Sequence, residues 1–280
     1  MRMSNRKKGN IIIFLFLTVL GTFMILPIYL AFVMSFKPVE ELFVFPPKLY
    51  TLNPTFRNFS DMFEELSKSL KVPFSRYIFN SVFVSITATL LQCITSSMGA
   101  FVLAKCNFPA KKIINKIIVI ALLYQSNVIY IMQYIVMSKL NMINTYWALI
   151  LPLISSPMSL FLMKQSISQM PDSVIEAGKI DGANLFRICW QIIIPNQKPA
   201  LMTVIIFAFQ SSWNMQSGSF IYKENLKTLP TVIQQITASG ISKTGISAAG
   251  SVFILLPPLI IFIAVRKNVV ETMAHSGISG

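Results

Sequence analysis

Apolar residues run in long blocks along this chain, and the basic residues sit between the blocks. A helix needs about 20 apolar residues to cross the hydrocarbon core of a bilayer. Six blocks meet that length: Ile11–Met34, Tyr77–Ala104, Ile113–Met137, Thr145–Met163, Ala200–Gly218 and Gly245–Val265. The fourth and fifth are the shortest. The pattern predicts an all-α polytopic membrane protein with six transmembrane helices. Arg2, Arg6, Lys7 and Lys8 stand ahead of the first block like the head of a signal peptide. The apolar run that follows outlasts the usual signal core, and no A-x-A-like cleavage site comes after it. It is expected to stay as an uncleaved first span.

Composition agrees with this reading. Hydrophobic residues make up 54% of the chain and charged residues 12%, against about 25% charged in a soluble domain. So few charges cannot cover a water-exposed surface of this size. The formal charge of +14 lacks the dense basic patches on a polar background that a nucleic-acid partner requires. Its distribution signals orientation instead. With the N-terminus in the cytoplasm, the inner segments hold 14 basic and 4 acidic residues and the outer ones 10 and 6. Lys105, Lys111, Lys112 and Lys116, squeezed between two spans, are the strongest determinant, and both termini fall inside. The spans hold almost no ionisable groups, which usually mark ion or proton pathways, so uphill transport would draw its energy from another subunit.

Cys93, Cys106 and Cys189 form no C-x-x-C pair, so neither a redox motif nor a zinc site is expected. The one histidine, His275, lies near the C-terminus, and no catalytic residue or metal site is assigned.

The richest segment runs from Met170 to Pro195 between the fourth and fifth spans. Pro171 suits a first helical turn, and Ser173-x-x-Glu176 reads as a capping box. Gly182 is placed to end that helix in the left-handed conformation. Asn184 starts a second helix carrying Leu185, Phe186, Ile188 and Trp190, with Pro195 as its stop. A cytoplasmic helical hairpin is predicted. Ala177 and Gly178 leave its first helix with little bulk, so another protein's groove can come close.

This segment resembles the EAA motif of the permeases of ATP-binding-cassette importers, through Glu176-Ala177-Gly178, then Asp181-Gly182-Ala183, then Ile192 to Pro195 and Pro199. Gly178 replaces the second alanine, and Ile194 the leucine before the proline. Further likeness, to the carbohydrate permeases related to the smaller membrane subunit of the maltose importer, covers nearly the whole chain. It rests on Phe45-Pro-Pro, Asn53-Pro-Thr-x-x-Asn58-Phe59, Pro73-Phe-Ser-Arg-Tyr-x-x-Asn-Ser81, Leu140-x-x-Ile-Asn-Thr-Tyr-Trp-Ala-Leu-Ile-Leu-Pro152 and the tail Met273–Gly280. The third span departs from that group around Tyr124-Gln-Ser-Asn127, where the usual proline is missing.

The resemblance implies a MetI-like fold in one permease domain over residues 1–280. Its parts are a first span at 11–34, an outer loop at 35–76, a core at about 72–267, a coupling hairpin at 170–198, an outer loop at 219–244 and a tail at 268–280. It implies a bacterial cytoplasmic-membrane location and assembly with a second, homologous permease, two ATPase subunits, an external sugar-binding protein and a di- or oligosaccharide. No cofactor is expected in this chain. It has no phosphate-binding G-x-x-x-x-G-K-[ST] loop, so ATP and magnesium belong to the partner ATPases. Glu176, Ala177, Gly178, Asp181, Gly182, Ala183 and Pro195 are the expected ATPase-coupling residues, with Asp181 either capping the next turn or touching the partner. For the sugar, Trp213 and Asn214 pair an aromatic face with an amide, although Trp213 also suits an interfacial anchor. Gln210 and Gln125 are further candidates. His275, Ser276 and Gly277 are candidates for a cytoplasmic tail contact, and Gly240 and Gly245 for flexibility in the second outer loop. Three rival readings are weighed. A membrane enzyme holding a metal–diphosphate on Asp172, Glu176 and Asp181 lacks a second acidic cluster. A secondary carrier lacks intramembrane charges and inverted repeats. The third is an ATP-driven permease for a non-sugar solute.

Overall fold

A computed structural model describes the backbone of residues 2–69, 72–123, 126–240 and 243–276, and no strand occurs among the described residues. The helices in chain order are α1 (Arg2–Phe36), α2 (Val39–Leu42), α3 (Arg57–Ser69), α4 (Phe74–Lys105), α5 (Lys111–Leu123), α6 (Ser126–Lys139), α7 (Tyr146–Ile154) and α8 (Pro157–Ser168). They continue as α9 (Ser173–Ile180), α10 (Leu185–Arg187), a π-helical turn (Ile188–Ile193), α11 (Ile194–Asn196), α12 (Lys198–Trp213), α13 (Leu229–Ala238) and α14 (Thr244–Ser276).

Four described segments are long and apolar enough to cross a membrane: Ile13–Phe36, Phe74–Lys105, Tyr146–Ser168 and Thr244–Val265. A fifth arises if Leu185–Asn196 and Lys198–Trp213, bent by 86° where they meet, count together. The expected third span is helical on both sides of Tyr124 and Gln125, as α5 and α6, and those two residues lie outside the described residues. The expected fourth span breaks at Ser155 and Ser156, where Ser156 caps α8 by accepting from the Ser159 N–H. The expected fifth span stops at Trp213 rather than Gly218, with Asn214 as its C-cap.

Two compact units can be described separately. The first comprises Met1–Leu70 with Ile233–Leu255. Along α1 large side chains such as Phe14, Phe23 and Met24 point outward, as expected where the solvent is lipid rather than water. Buried Asn58 donates to the carbonyls of Ser35 (2.9 Å) and Lys37 (2.7 Å). Gly245 lies directly beneath Asn58, where any Cβ would collide with the amide. The expected hinge at Gly245 is therefore a helical close-packing position.

The second unit comprises Lys71–Val232 with Leu256–Gly280. Its central helix, α4, packs on α7, α8 and α12. Ser81, Ser85, Thr89, Gln92 and Ser96 are all buried and recur every three or four residues. Small residues at that spacing let helices approach closely where no water drives them together. Gln92 donates to Ser159 of α8 at 2.6 Å, and a Cβ on Gly99 would already stand 3.0 Å from Leu160.

Candidate functional site

The hairpin between α8 and α12 is anchored before it begins. Lys105, the last residue of α4, has a side chain only 8% exposed. It donates to the Met170 carbonyl (2.5 Å) and to Asp172 Oδ1 (2.6 Å). The ammonium holds the Asp172 carboxyl below its ordinary pKa. The expected capping box does not form. The N-cap residue is Asp172, already in helical backbone geometry and with no side-chain cap bond, because its carboxylate is turned to Lys105. Ser173 is therefore inside the helix rather than ahead of it.

Gly182 ends α9 as expected. Its φ is +76°, its N–H donates to the Lys179 carbonyl, and the Ala183 N–H reaches back to Gly178. This pair of bonds is a Schellman motif, whose left-handed residue favours glycine. The next turn is capped by Asn184, which accepts from the Arg187 N–H at 2.8 Å, so Asp181 does not serve there. Pro195 does not stop the helix. Ile194 donates to Cys189, five residues back, the bond that makes this a π turn. Asn196 Nδ2 then donates to the Ile192 carbonyl, and Pro195, with no N–H of its own, sits within α11 without ending the helix. The break falls two residues beyond Pro195, at Gln197, which accepts a bond from Ser166.

The hairpin has two faces. Ile175, Gly178, Ile188, Cys189, Ile193 and Ile194 are buried. The apolar ones cluster with Ala100 and Phe101 of α4, Met163 and Ile167 of α8 and Val204 of α12. Each isoleucine so buried contributes about 1.5–3 kcal/mol relative to water. The smallness of Gly178 serves this inner face, since its Cβ position lies 3.0 Å from Ile192 Cδ1 and 3.3 Å from Ile188 Cγ1. Glu176, Ala177, Asp181, Gly182 and Pro195 are exposed and Ala183 half-buried. The outer face also carries Ile180, 86% exposed, with Leu185 and Phe186. These three apolar side chains were not among the expected coupling residues. Among the described residues, no three carboxylate, histidine or cysteine side chains are placed to hold a metal ion.

Toward the far end of α12 lies a cavity of about 650 Å³. Tyr130 and Gln133 of α6 face Ser211 and Asn214 of α12 and the following Gln216 and Gly218, with Pro152, Leu153 and Met215 completing the wall. Of the expected sugar-contacting residues only Asn214 lines it. Trp213 is 3% exposed and stacks on Phe209 at 5.8 Å, so it is neither a ligand platform nor an interfacial anchor. Gln210 is exposed outside the cavity. Gln125 and Gly277 lie outside the described residues, as do the side chains of His275 and Ser276.

The cavity's wall is buttressed. Thr231 Oγ1 accepts from the Ser217 N–H at 2.7 Å and bonds its hydroxyl at the same distance. Asn144, in left-handed geometry with φ +63°, accepts from the N–H groups of Tyr222 and Lys223. On α4, Asn80 Nδ2 donates to the carbonyls of Asn225 and Lys227, and Ser81 accepts from the Leu229 N–H. Tyr146 donates to Asn80 Oδ1 at 2.7 Å. The motifs Arg76-Tyr-x-x-Asn-Ser81 and Ile143-Asn-Thr-Tyr146 thus pin the segment 217–229 to the helices.

Residues 97–271 match the family described as the binding-protein-dependent transport system inner membrane component. The arabinooligosaccharides transport system permease protein AraQ of Halalkalibacterium halodurans is 27% identical, with 95% of this chain and 94% of that protein aligned. Protein LplC of Bacillus subtilis is 26% identical, with 99% and 98% aligned. The sn-glycerol-3-phosphate transport system permease protein UgpE of Yersinia enterocolitica is also 26% identical, with 92% and 94% aligned. In the crystal structure of a bacterial ABC transporter involved in the import of the acidic polysaccharide alginate, one chain has the same fold at a TM-score of 0.77. It is 20% identical and covers 93% of this chain, with 96% of its own length aligned. A family match over more than half of the residues settles the assignment: this polytopic membrane chain belongs to the binding-protein-dependent transport system inner membrane components.

Proposed function

We propose that this chain is one permease subunit of an ATP-driven importer in a bacterial cytoplasmic membrane, and that its solute is a di- or oligosaccharide. A second permease completes the pathway, and an external binding protein delivers the sugar. This chain performs no catalysis; two partner ATPases bind ATP and magnesium and dock on the hairpin at 170–198. Six crossings with both termini inside are supported by the basic residues of the inner segments, with α5 and α6 taken together as the third crossing. The saccharide reading is supported by relatives such as the arabinooligosaccharide permease.

The observation that carries the coupling role is the two-faced hairpin. Its inner face is locked to α4, α8 and α12, while Glu176, Ala177, Ile180, Asp181, Leu185 and Phe186 stand outward. Such an element transmits a push as a rigid lever. Deleting residues 172–182 should leave the protein membrane-inserted and abolish co-purification with the ATPase and ATP-dependent uptake. A deletant that still bound the ATPase and supported uptake would overturn the assignment.

A further inference from the structure

The cavity beside the end of α12 has an uncharged lining in which polar groups stand among apolar Pro152, Leu153 and Met215. Tyr130, Gln133, Ser211, Asn214 and Gln216 supply two hydroxyls and three amides, and none of the lining residues is basic or acidic. Each amide both donates and accepts hydrogen bonds, as each hydroxyl does. The Tyr130 oxygen already accepts from the Ser219 N–H at 3.3 Å, which leaves its own O–H to donate. Its position is set by Gly218, where a Cβ would stand 3.1 Å from that oxygen, and by edge-on packing against Phe220 at 5.0 Å.

From this we infer that the cavity is a subsite for a non-ionic, hydroxyl-rich solute and discriminates against acidic sugars and phosphate esters. The inference rests on the importer reading above and narrows its substrate class. A sugar hydroxyl offers one donor and two acceptor lone pairs, which amides and hydroxyls can satisfy without a charge. A carboxylate or phosphate leaving water for this cavity would meet no ammonium or guanidinium, and an unpaired anion is poorly tolerated away from water. The alginate importer and the glycerol-3-phosphate permease have anionic solutes by their descriptions, so the shared fold does not decide the point. The lining does.

The test uses the complete importer, with this chain, its partner permease, the ATPases and the binding protein, in proteoliposomes. Neutral arabinotriose and maltotriose are compared with trigalacturonate and sn-glycerol 3-phosphate as stimulators of ATP hydrolysis and as transported solutes. At least one neutral sugar should be carried, with the anionic probes at least about tenfold weaker. Asn214→Ala and Gln133→Ala should each raise the half-saturating sugar concentration about tenfold, the weight of one lost hydrogen bond, with the maximal rate kept. An anionic probe carried as well as the neutral ones would overturn the inference and leave the importer reading standing. Unchanged half-saturation in both variants would overturn it as well, since the solute would then bind elsewhere. No saccharide of either class carried would sink both readings.

Discussion

Gly178 provides a graded test of the hairpin. It replaces a usual alanine, and it is buried, with its Cβ position 3.0 Å from Ile192 Cδ1 and 3.3 Å from Ile188 Cγ1. Gly178→Ala adds one methyl that meets mainly the rotatable end of Ile192. It also recovers about 0.8–1 kcal/mol of helix propensity, so its net effect should lie within about 1 kcal/mol of zero. Gly178→Leu pushes three further carbons toward the buried Ile188 and costs about 1–3 kcal/mol, the usual range for overpacking. If that strain lifts α9 off the π turn, ATPase affinity should fall roughly tenfold to a hundredfold. The assay titrates purified ATPase onto the detergent-solubilised permease pair, beside a thermal melt of the same sample. An alanine variant near wild type and a leucine variant weakened in both measurements is the expected result. If the leucine variant bound ATPase and melted like wild type, the packing of α9 on Ile188 and Ile192 would not be what positions the hairpin.

Lys105→Met keeps most of the unbranched side chain but removes the ammonium and with it the charge-assisted bond to the Met170 carbonyl. The loss is about 1.5–3 kcal/mol, and protease should cut the hairpin of inside-out vesicles earlier; unchanged cleavage would refute the clamp. The Asp172 carboxyl of that pair is depressed by the hydrogen bond from Lys105 and then by its charge. Its stabilisation is therefore fully present above the unfolded value near pH 4 and is lost as pH falls through the lower folded value. Because that carboxylate is 77% exposed, the effect is small: melting curves of wild type and Asp172→Asn should keep a constant offset from pH 6 to 8 and converge only under acid. Tyr146→Phe leaves buried Asn80 Oδ1 without the donor at 2.7 Å and should cost about 1–3 kcal/mol, read as a lower melting temperature. A melting temperature equal to wild type would show that the outer segment is held without that bond.

The hairpin was legible in the sequence to the extent that its turns obey local rules, and illegible where tertiary contacts take over. Gly182 and Asn184 act within five residues of themselves, one by adopting φ +76° and the other by capping Arg187. Side-chain type alone therefore reveals them. Ser173-x-x-Glu176 also satisfies a local rule, yet the box is absent because Asp172, one residue earlier, is drawn to a lysine 67 residues away. Gly178 shows the same limit: smallness is plain in the sequence, but not whether it serves a partner or Ile188. The cavity was harder still. Tyr130 and Gln133 line the same cavity as Ser211 and Asn214 only because α6 packs on the turn at Gly218–Phe220, and uncharged polar residues on apolar helices carry no signature that tells a lining position from a helix contact. Trp213 misled for the converse reason. An aromatic next to an amide at the end of an apolar run looks the same facing sugar, headgroups or core, and only Phe209, one turn back and stacked on it, decides for the core. What remained readable from either end was charge. Lys105 is among the basic residues from which an orientation is expected, and the same positive group at the end of α4 fastens the hairpin. A substitution of Lys105 should therefore be scored for hairpin integrity before any effect on topology is inferred.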